Sequence, residues 1–234
     1  SAGNSYTAEW HRNYAVGDGS EVISDAGNAI KKISPEGQVS IVSPKASIYS
    51  TKYLDMMVLY KYLPVHMAVD AEGTLYTADP NDRVVRKYIN GEFKVFAGTL
   101  AKDNSGYVNG LAADAKFSSN ITGMAFDKAN NLYVLDDKRI RKVNANGDVS
   151  TVLDLSNACS VAPGHANQNN NCRFDNLAVD DRGNFLLQEV NSPSYSPQAY
   201  KDFWLLRQFS MDGKTRVVAG KLPEVPFADG DVKT

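Results

Sequence analysis

An all-β fold, a β-propeller with four recognisable four-stranded blades, is what this sequence predicts, and three observations carry the prediction. One motif recurs: Ala68-Val69-Asp70 with Leu75-Tyr76-Thr77-Ala78-Asp79 and Val84-Val85-Arg86-Lys87, Ala125-Phe126-Asp127 with Leu132-Tyr133-Val134-Leu135-Asp136 and Arg139-Ile140-Arg141-Lys142, and Ala178-Val179-Asp180 with Phe185-Leu186-Leu187. The copies are evenly spaced, with 57 positions from Asp70 to Asp127, 53 from Asp127 to Asp180, and 55 both from Lys31 to Arg86 and from Arg86 to Arg141. The apolar runs are short and separated by polar turns, and no helical apolar period lasts beyond a turn or two. Repeats of this length mean a solenoid, a propeller or an array, and short strands without a helical period select the propeller.

Within a copy the elements follow in order. An innermost apolar run ends at an Asp, a second run ends at Asp79 or Asp136, and a third alternates basic with apolar residues. The outermost run follows Glu36-Gly37, Asn90-Gly91, Asn146-Gly147 or Asp212-Gly213, where the Gly, preceded by Asn or Asp in the last three, supplies the positive φ that a tight hairpin needs. A worn first copy starts at Tyr14-Ala15-Val16-Gly17-Asp18, continues through Val22-Ile23-Ser24-Asp25 and reaches Ala29-Ile30-Lys31-Lys32-Ile33. One domain over residues 1–234 is expected, with repeats at about 12–42, 65–98, 121–153 and 175–219, and a further linker beginning in 220–234. Residues 1–13 stand ahead of the first copy. A closed four-bladed ring, an open arc and a fragment of a larger propeller all remain open, the fragment favoured because 220–234 follows the linker pattern.

The run Ala-Val-Asp, turn, Leu-Tyr-Val-x-Asp, then Ile-Arg-Lys-Val resembles the NHL repeat. The linkers add to the resemblance: Phe96-Ala97-Gly98 leads to Asn109-Gly110 and Ala113-Asp114-Ala115-Lys116-Phe117, and Val218-Ala219-Gly220 leads to Phe227-Ala228-Asp229-Gly230-Asp231. This grammar is similar to NHL propellers of exported proteins, particularly surface lipoproteins of Bacteroides-type bacteria. The resemblance implies export to the periplasm or outer-membrane surface of a Gram-negative bacterium, and a longer parent chain with an immunoglobulin-like domain and a lipid anchor. It implies fold more strongly than function, because propellers host unrelated activities.

Composition fits an exported globular domain. At 234 residues, 43% hydrophobic and 22% charged, the chain can bury a sizeable core, and no apolar run is long enough to span a bilayer. The formal net charge is −2 with Lys and Arg dispersed, which argues against nucleic acid, since that partner calls for a basic stripe. No signal peptide is visible, so an exported protein would be seen here in mature or trimmed form.

Cys159 and Cys172 bracket a polar insertion, Ser160 to Asn171, between the end of one copy and the inner strand of the next. A disulfide between them is expected, because strands anchor both ends; closing such a loop restricts the unfolded chain by about 3 kcal/mol. Zinc is not expected, since two Cys and His165 leave the ligand set short.

The residue two before the Ala of each Ala-Val-Asp is Asn13, His66, Gly123 or Asn176, preceded by Arg12, Thr122 and Asp175 in three copies. Innermost strands line a propeller's channel, so Asn13, His66, Asp175 and Asn176 form a candidate ligand site at its mouth, with mutually hydrogen-bonded channel residues as the bland alternative. No cofactor is required. Calcium is admitted by the alternative reading, a metal-dependent hydrolase resembling the sugar-lactonase propellers, for which Asn13, Asp175 and Asn176 would supply oxygen ligands. That reading lacks an acidic base on a second inner strand, and no Gly-x-Ser-x-Gly, phosphate loop or His-Glu-x-x-His stretch supports it.

The recurring Asp and Arg residues read as structural, because an active site is needed once and a brace is needed in every blade. Asp70, Asp127 and Asp180 are placed to cap turns, while Asp25, Asp79 and Asp136 lie within reach of Lys31, Arg86 and Arg141. Two insertions break the pattern: Ser47 to Pro64, and Asn191 to Trp204, which stretches Asp180 to Arg207 to 27 positions against 16 from Asp70 to Arg86. Loops on a rigid scaffold often bind. Tyr195 and Tyr200 are the candidate aromatic contacts, while Phe203 and Trp204 are expected to start a strand and join the core. The function expected is a non-enzymatic binding or scaffold propeller of the cell envelope, with a glycan or a protein as partner.

Overall fold

The computed structural model describes residues 5–9, 29–42, 66–80, 82–101, 105–160, 172–191 and 203–220. Its strands are β1 (Ser5–Glu9), β2 (Ala29–Ile33), β3 (Val39–Ile41), β4 (His66–Val69), β5 (Leu75–Asp79), β6 (Val84–Ile89), β7 (Glu92–Ala97), β8 (Ile121–Phe126), β9 (Leu132–Asp136), β10 (Arg139–Val143), β11 (Val149–Asp154), β12 (Cys172–Val179), β13 (Phe185–Asn191), β14 (Phe203–Phe209) and β15 (Thr215–Ala219). They form three four-stranded antiparallel meanders, β4 to β7, β8 to β11 and β12 to β15, and a three-stranded sheet β1-β2-β3. Each meander is a propeller blade, so the all-β class and the blade pattern hold. The chain divides into two compact units, residues 1–121 with 145–148, and 122–144 with 149–234.

The first sheet differs from expectation. Ser5–Glu9, expected ahead of the first copy, is the strand paired with Ala29–Ile33, in the register Tyr6↔Lys32, Thr7↔Lys31, Ala8↔Ile30. The second blade pairs Tyr76↔Lys87, Thr77↔Arg86 and Ala78↔Val85. Ser5-Tyr6-Thr7-Ala8-Glu9 is therefore a copy of Leu75-Tyr76-Thr77-Ala78-Asp79, and the side-chain alternation of a strand makes that register the one matching the later blades. The expected strand Val22-Ile23-Ser24-Asp25 lies outside the described residues.

The second unit holds its two blades face to face. Tyr133, Leu135 and Ile140 of β9 and β10 meet Phe174, Phe185, Leu187 and Phe209 of the last blade in one buried cluster. Tyr133 and Phe185 cross edge to face at 5.0 Å, as do Phe174 and Phe209 at 5.6 Å. Burying each such side chain contributes about 1.5–3 kcal/mol, so this stack is a main source of the unit's stability. Innermost strands β8 and β12 approach backbone to backbone: Thr122 Oγ1 donates to the Phe174 carbonyl at 2.8 Å, and a Cβ on Gly123 would stand 2.7 Å from the Leu177 nitrogen. Gly123 is glycine because nothing larger fits between the strands.

The turn Asp residues cap as expected. The amides of Thr74, Asn131 and Asn184 donate to Oδ1 of Asp70, Asp127 and Asp180 at 2.7, 2.8 and 2.8 Å. Cross-strand braces also recur: Arg86 to Asp79 at 3.6 Å, Arg141 to Asp136 at 2.9 Å with both side chains fully buried, and Arg207 to Glu189 at 2.8 Å. The Lys31 and Asp25 brace cannot be placed, since Asp25 lies outside the described residues. Cys159 and Cys172 are joined in a disulfide, with Cα atoms 5.6 Å apart. Its neighbourhood is tied to the last blade: Glu189 accepts from the Ser160 amide at 2.6 Å and from its hydroxyl at 2.9 Å, and Arg207 donates to the Ala158 carbonyl.

Candidate functional site

The last blade offers two unlike faces. Alternation along β13 and β14 sends Phe185, Leu187, Glu189, Leu205, Arg207 and Phe209 to the buried side. Leu186 and Gln188 of β13 and Trp204 and Leu206 of β14 therefore stand on the other side. There an open groove of about 500 Å³ runs across the sheet, with Ala178, Leu186 and Leu206 among its apolar residues, Trp204 beside them, and Asn176 and Gln188 as its amides. Trp204 is 57% exposed and Leu206 39%, a level of apolar exposure that marks an interaction surface when contiguous.

Local sequence explains the groove. Asn176 sits at a bulge of β12 with φ of 57°, a left-handed conformation that Asn tolerates better than most side chains. The bulge lets Asn176 Nδ2 donate to Gln188 Oε1 at 2.9 Å, so each amide satisfies one hydrogen bond of the other. At the far end Gly220 has φ of 93°, and a Cβ there would fall 2.3 Å from the Trp204 carbonyl oxygen. Among the described residues no ionisable side chain lines the groove. Its described lining offers apolar area, an indole and two amides, and Arg173 and Asp175 lie on the same face opposite Val190 and Gln188.

The expected channel-mouth residues fall as follows. Asn13 lies outside the described residues, as do Tyr195 and Tyr200. His66 begins β4, half-buried, opposite Ala78. Asp175 accepts from Arg173 Nε at 2.8 Å, and Asn176 is engaged with Gln188, so each is held by a neighbour in its own blade. Among the described residues no three of His, Cys, Asp and Glu cluster as a metal site. Asn176 does belong to the groove, through a partner the sequence reading did not name.

Trp204 is the correction that matters most. It starts a strand as expected, but it is exposed rather than in the core, because Leu205 takes the buried side of β14. The signal was present in the repeat. Counting back three from the brace arginines Arg86, Arg141 and Arg207 gives Arg83, Lys138 and Trp204, a position that holds a half-buried cation in the two middle copies and an exposed indole in the last.

Ionisable groups with shifted pKa values lie in the blade scaffold. The Asn184 side chain and amide hold the Asp180 carboxyl below its ordinary value. At Asp127 burial pushes upward, and bonds from Asn131 and Tyr133 outweigh it to lower the carboxyl. Burial, with the Asp127 carboxylate beside it, pushes the Tyr133 phenol up to about 12. These shifts follow from caps and core packing.

Blades of this kind define a β-propeller, a fold that hosts both binding proteins and enzymes. No protein-family model matches the chain. It is 29% identical over 159 residues to teneurin-3 of Danio rerio and 30% identical over 162 residues to teneurin-3 of Mus musculus, in each case across 62% of this chain. It spans only 5% and 6% of those relatives. Among solved structures, a Bacteroides thetaiotaomicron protein of unknown function is alike with a TM-score of 0.47 and 20% identity, over 69% of this chain and 39% of that one. A gluconolactonase of Xanthomonas campestris has a TM-score of 0.41 and 16% identity, over 66% and 46% of the two chains. An auxiliary nutrient-binding protein of Bacteroides ovatus has a TM-score of 0.40 and 14% identity, over 71% and 44%. Enzymes and binding proteins thus stand together in this set, and the likeness does not choose between them.

Proposed function

We propose that the chain is a non-enzymatic NHL-type propeller, exported to the bacterial cell envelope, which serves as a binding or scaffold module and meets a protein partner across the open face of its last blade. One observation carries the reading: the described lining of the groove is apolar apart from two amides, so it supplies contact area and no acid or base. A carbohydrate is the other partner the sequence suggests. The flat run of Leu186, Leu206 and Ala178 favours protein, because sugars call for more polar groups than two amides already bonded to each other.

The test has two arms. Lactone hydrolysis is assayed with added calcium, and the emission of Trp204 is titrated with soluble oligosaccharides in a Trp10→Phe background, Trp10 being the other tryptophan. Neither turnover above buffer nor a saturable shift is expected. Turnover would overturn the non-enzymatic reading, and a saturable shift abolished by Trp204→Ala would replace protein with carbohydrate.

A further inference from the structure

We infer that the Cys159–Cys172 disulfide is the latch of a redox-sensitive clasp: closed, it holds residues 158–160 against the buried ion pair of the last blade, and reduction by a dithiol releases them while the sheets stay folded. The inference stands apart from the protein-contact reading and does not depend on it.

The clasp supplies what a turn supplies in the second blade. There the brace carboxylate Asp79 is followed by a short turn, and the Asp82 amide of that turn donates to Asp79 Oδ1 at 3.0 Å. In the last blade the insertion separates Asn191 of β13 from Phe203 of β14. The amide that reaches the brace carboxylate Glu189 is that of Ser160, 29 positions upstream, at 2.6 Å. The Ser160 hydroxyl donates to Glu189 Oε2 at 2.9 Å and accepts from Arg207 Nη1 at 3.3 Å. Arg207 Nη1 also donates to the Ala158 carbonyl, and to Glu189 Oε2 at 2.8 Å. Glu189 is fully buried and Arg207 is 6% exposed, so these bonds keep a charge pair satisfied away from water.

Cys159 stands between the two residues that make these contacts, and its sulfur is joined to Cys172, the first residue of β12. The covalent tie therefore sits at the centre of the clasp. A tie of this kind raises the local concentration of the groups it holds, and its loss weakens their contact by about a hundredfold or more. Tyr133, Phe174, Phe185 and Phe209 lie on paired strands, so the sheets keep their core when the clasp opens. In the opening step a thiolate of the dithiol attacks one sulfur of the pair, the S–S bond breaks and a mixed disulfide forms. The second thiol of the dithiol then displaces the protein sulfur, so the dithiol leaves as its own disulfide and its two electrons remain on Cys159 and Cys172. Lys138 Nζ stands 3.6 Å from Cys159 Sγ, and an ammonium beside a sulfur favours the thiolate, which makes Cys159 the reactive thiol of the open form.

The experiment compares the oxidised chain with the chain in dithiothreitol by amide hydrogen exchange, with and without low urea. The Ser160 amide should be protected in the oxidised chain. On reduction it should exchange about a hundredfold faster or more, ahead of the Leu187 amide in the core strand β13 and with no dependence on urea, as a local opening does. In a glutathione buffer Ser160→Ala should move the ratio of reduced to oxidised chain several-fold toward reduced, because whatever closes the clasp also favours the disulfide. Thr215→Val removes a bond to Arg207 Nη2 from β15 and none from residues 158–160, so it should leave that ratio unchanged. In the reduced chain iodoacetamide should label Cys159 ahead of Cys172, and Lys138→Met should slow the labelling of Cys159 several-fold. A reduced chain that loses its strand circular dichroism overturns the inference. So does a Ser160 amide that exchanges in step with Leu187 and with the same urea dependence, or an equal shift of the redox ratio by Ser160→Ala and Thr215→Val. Labelling that favours Cys172, or that Lys138→Met leaves unchanged, overturns the assignment of Cys159 as the reactive thiol.

Discussion

Removing the carboxylate of Asp136 tests whether the recurring ion pairs are braces whose weight depends on burial. Asp136 and Arg141 are fully buried and bonded at 2.9 Å. Asp136→Ala would leave a guanidinium in the interior without that counter-charge, and breaking a buried pair in this way costs about 3–5 kcal/mol. The matching pair in the second blade lies 3.6 Å apart, with its side chains 22% and 17% exposed, so water and the looser geometry reduce its weight. Asp79→Ala should cost about 1 kcal/mol. For a chain of this size the first loss corresponds to about 6–20 °C in melting temperature and the second to about 2–4 °C. Urea unfolding followed by circular dichroism measures both. A double replacement, Asp136→Leu with Arg141→Met, should recover most of the loss, since it removes both charges rather than stranding one. The reasoning fails if Asp136→Ala is no worse than Asp79→Ala, or if the double replacement is as unstable as the single one.

Other outcomes follow from the same structure. Gly123→Ala should destabilise by about 1–3 kcal/mol in thermal melts, because its Cβ would stand 2.7 Å from the Leu177 nitrogen and backbone cannot step aside; an unchanged melt would show the inner strands are farther apart. Cys159→Ser and reduction of the natural chain should each cost about 3 kcal/mol, with no further loss when the two are combined. Bonds from Asn184 lower Asp180, those from Ser156 lower Asp154, and those from Lys214 and Ser210 bring Asp212 to about 2. Groups lowered by folding contribute stability that is complete above the unfolded pKa of about 4 and is lost as pH falls through the folded value. Melting temperature should therefore hold from pH 8 to 5 and fall from pH 4 to 2, with a shallower fall in Asp180→Asn. Ultraviolet titration should find Tyr133 ionising near 12, so that Tyr133→Phe removes a phenol step at that pH.

Much of this was legible in the chain because a repeat states its own rules several times. Apolar alternation with Asx-Gly turns gave the meanders, and recurrence marked the Asp caps and Arg braces as structural. Tyr6-Thr7-Ala8-Glu9 is equally readable as a copy of Tyr76-Thr77-Ala78-Asp79, and it is this segment that pairs with Ala29–Ile33. The last brace was less readable, because Glu189 stands where earlier copies have Asp and the insertion displaces Arg207 along the sequence.

The sequence by itself determined the strands, order and turns of the three later blades and the cysteine pair, since these depend on residues close in the chain or on a period that repeats. Tertiary structure alone decided which sheet faces are covered. Leu206 and Ile140 read as the same apolar position, and no local property distinguishes them. Only the presence of a sheet over Ile140 and the open groove over Leu206 does so, because burial belongs to the surroundings of a residue and not to the residue.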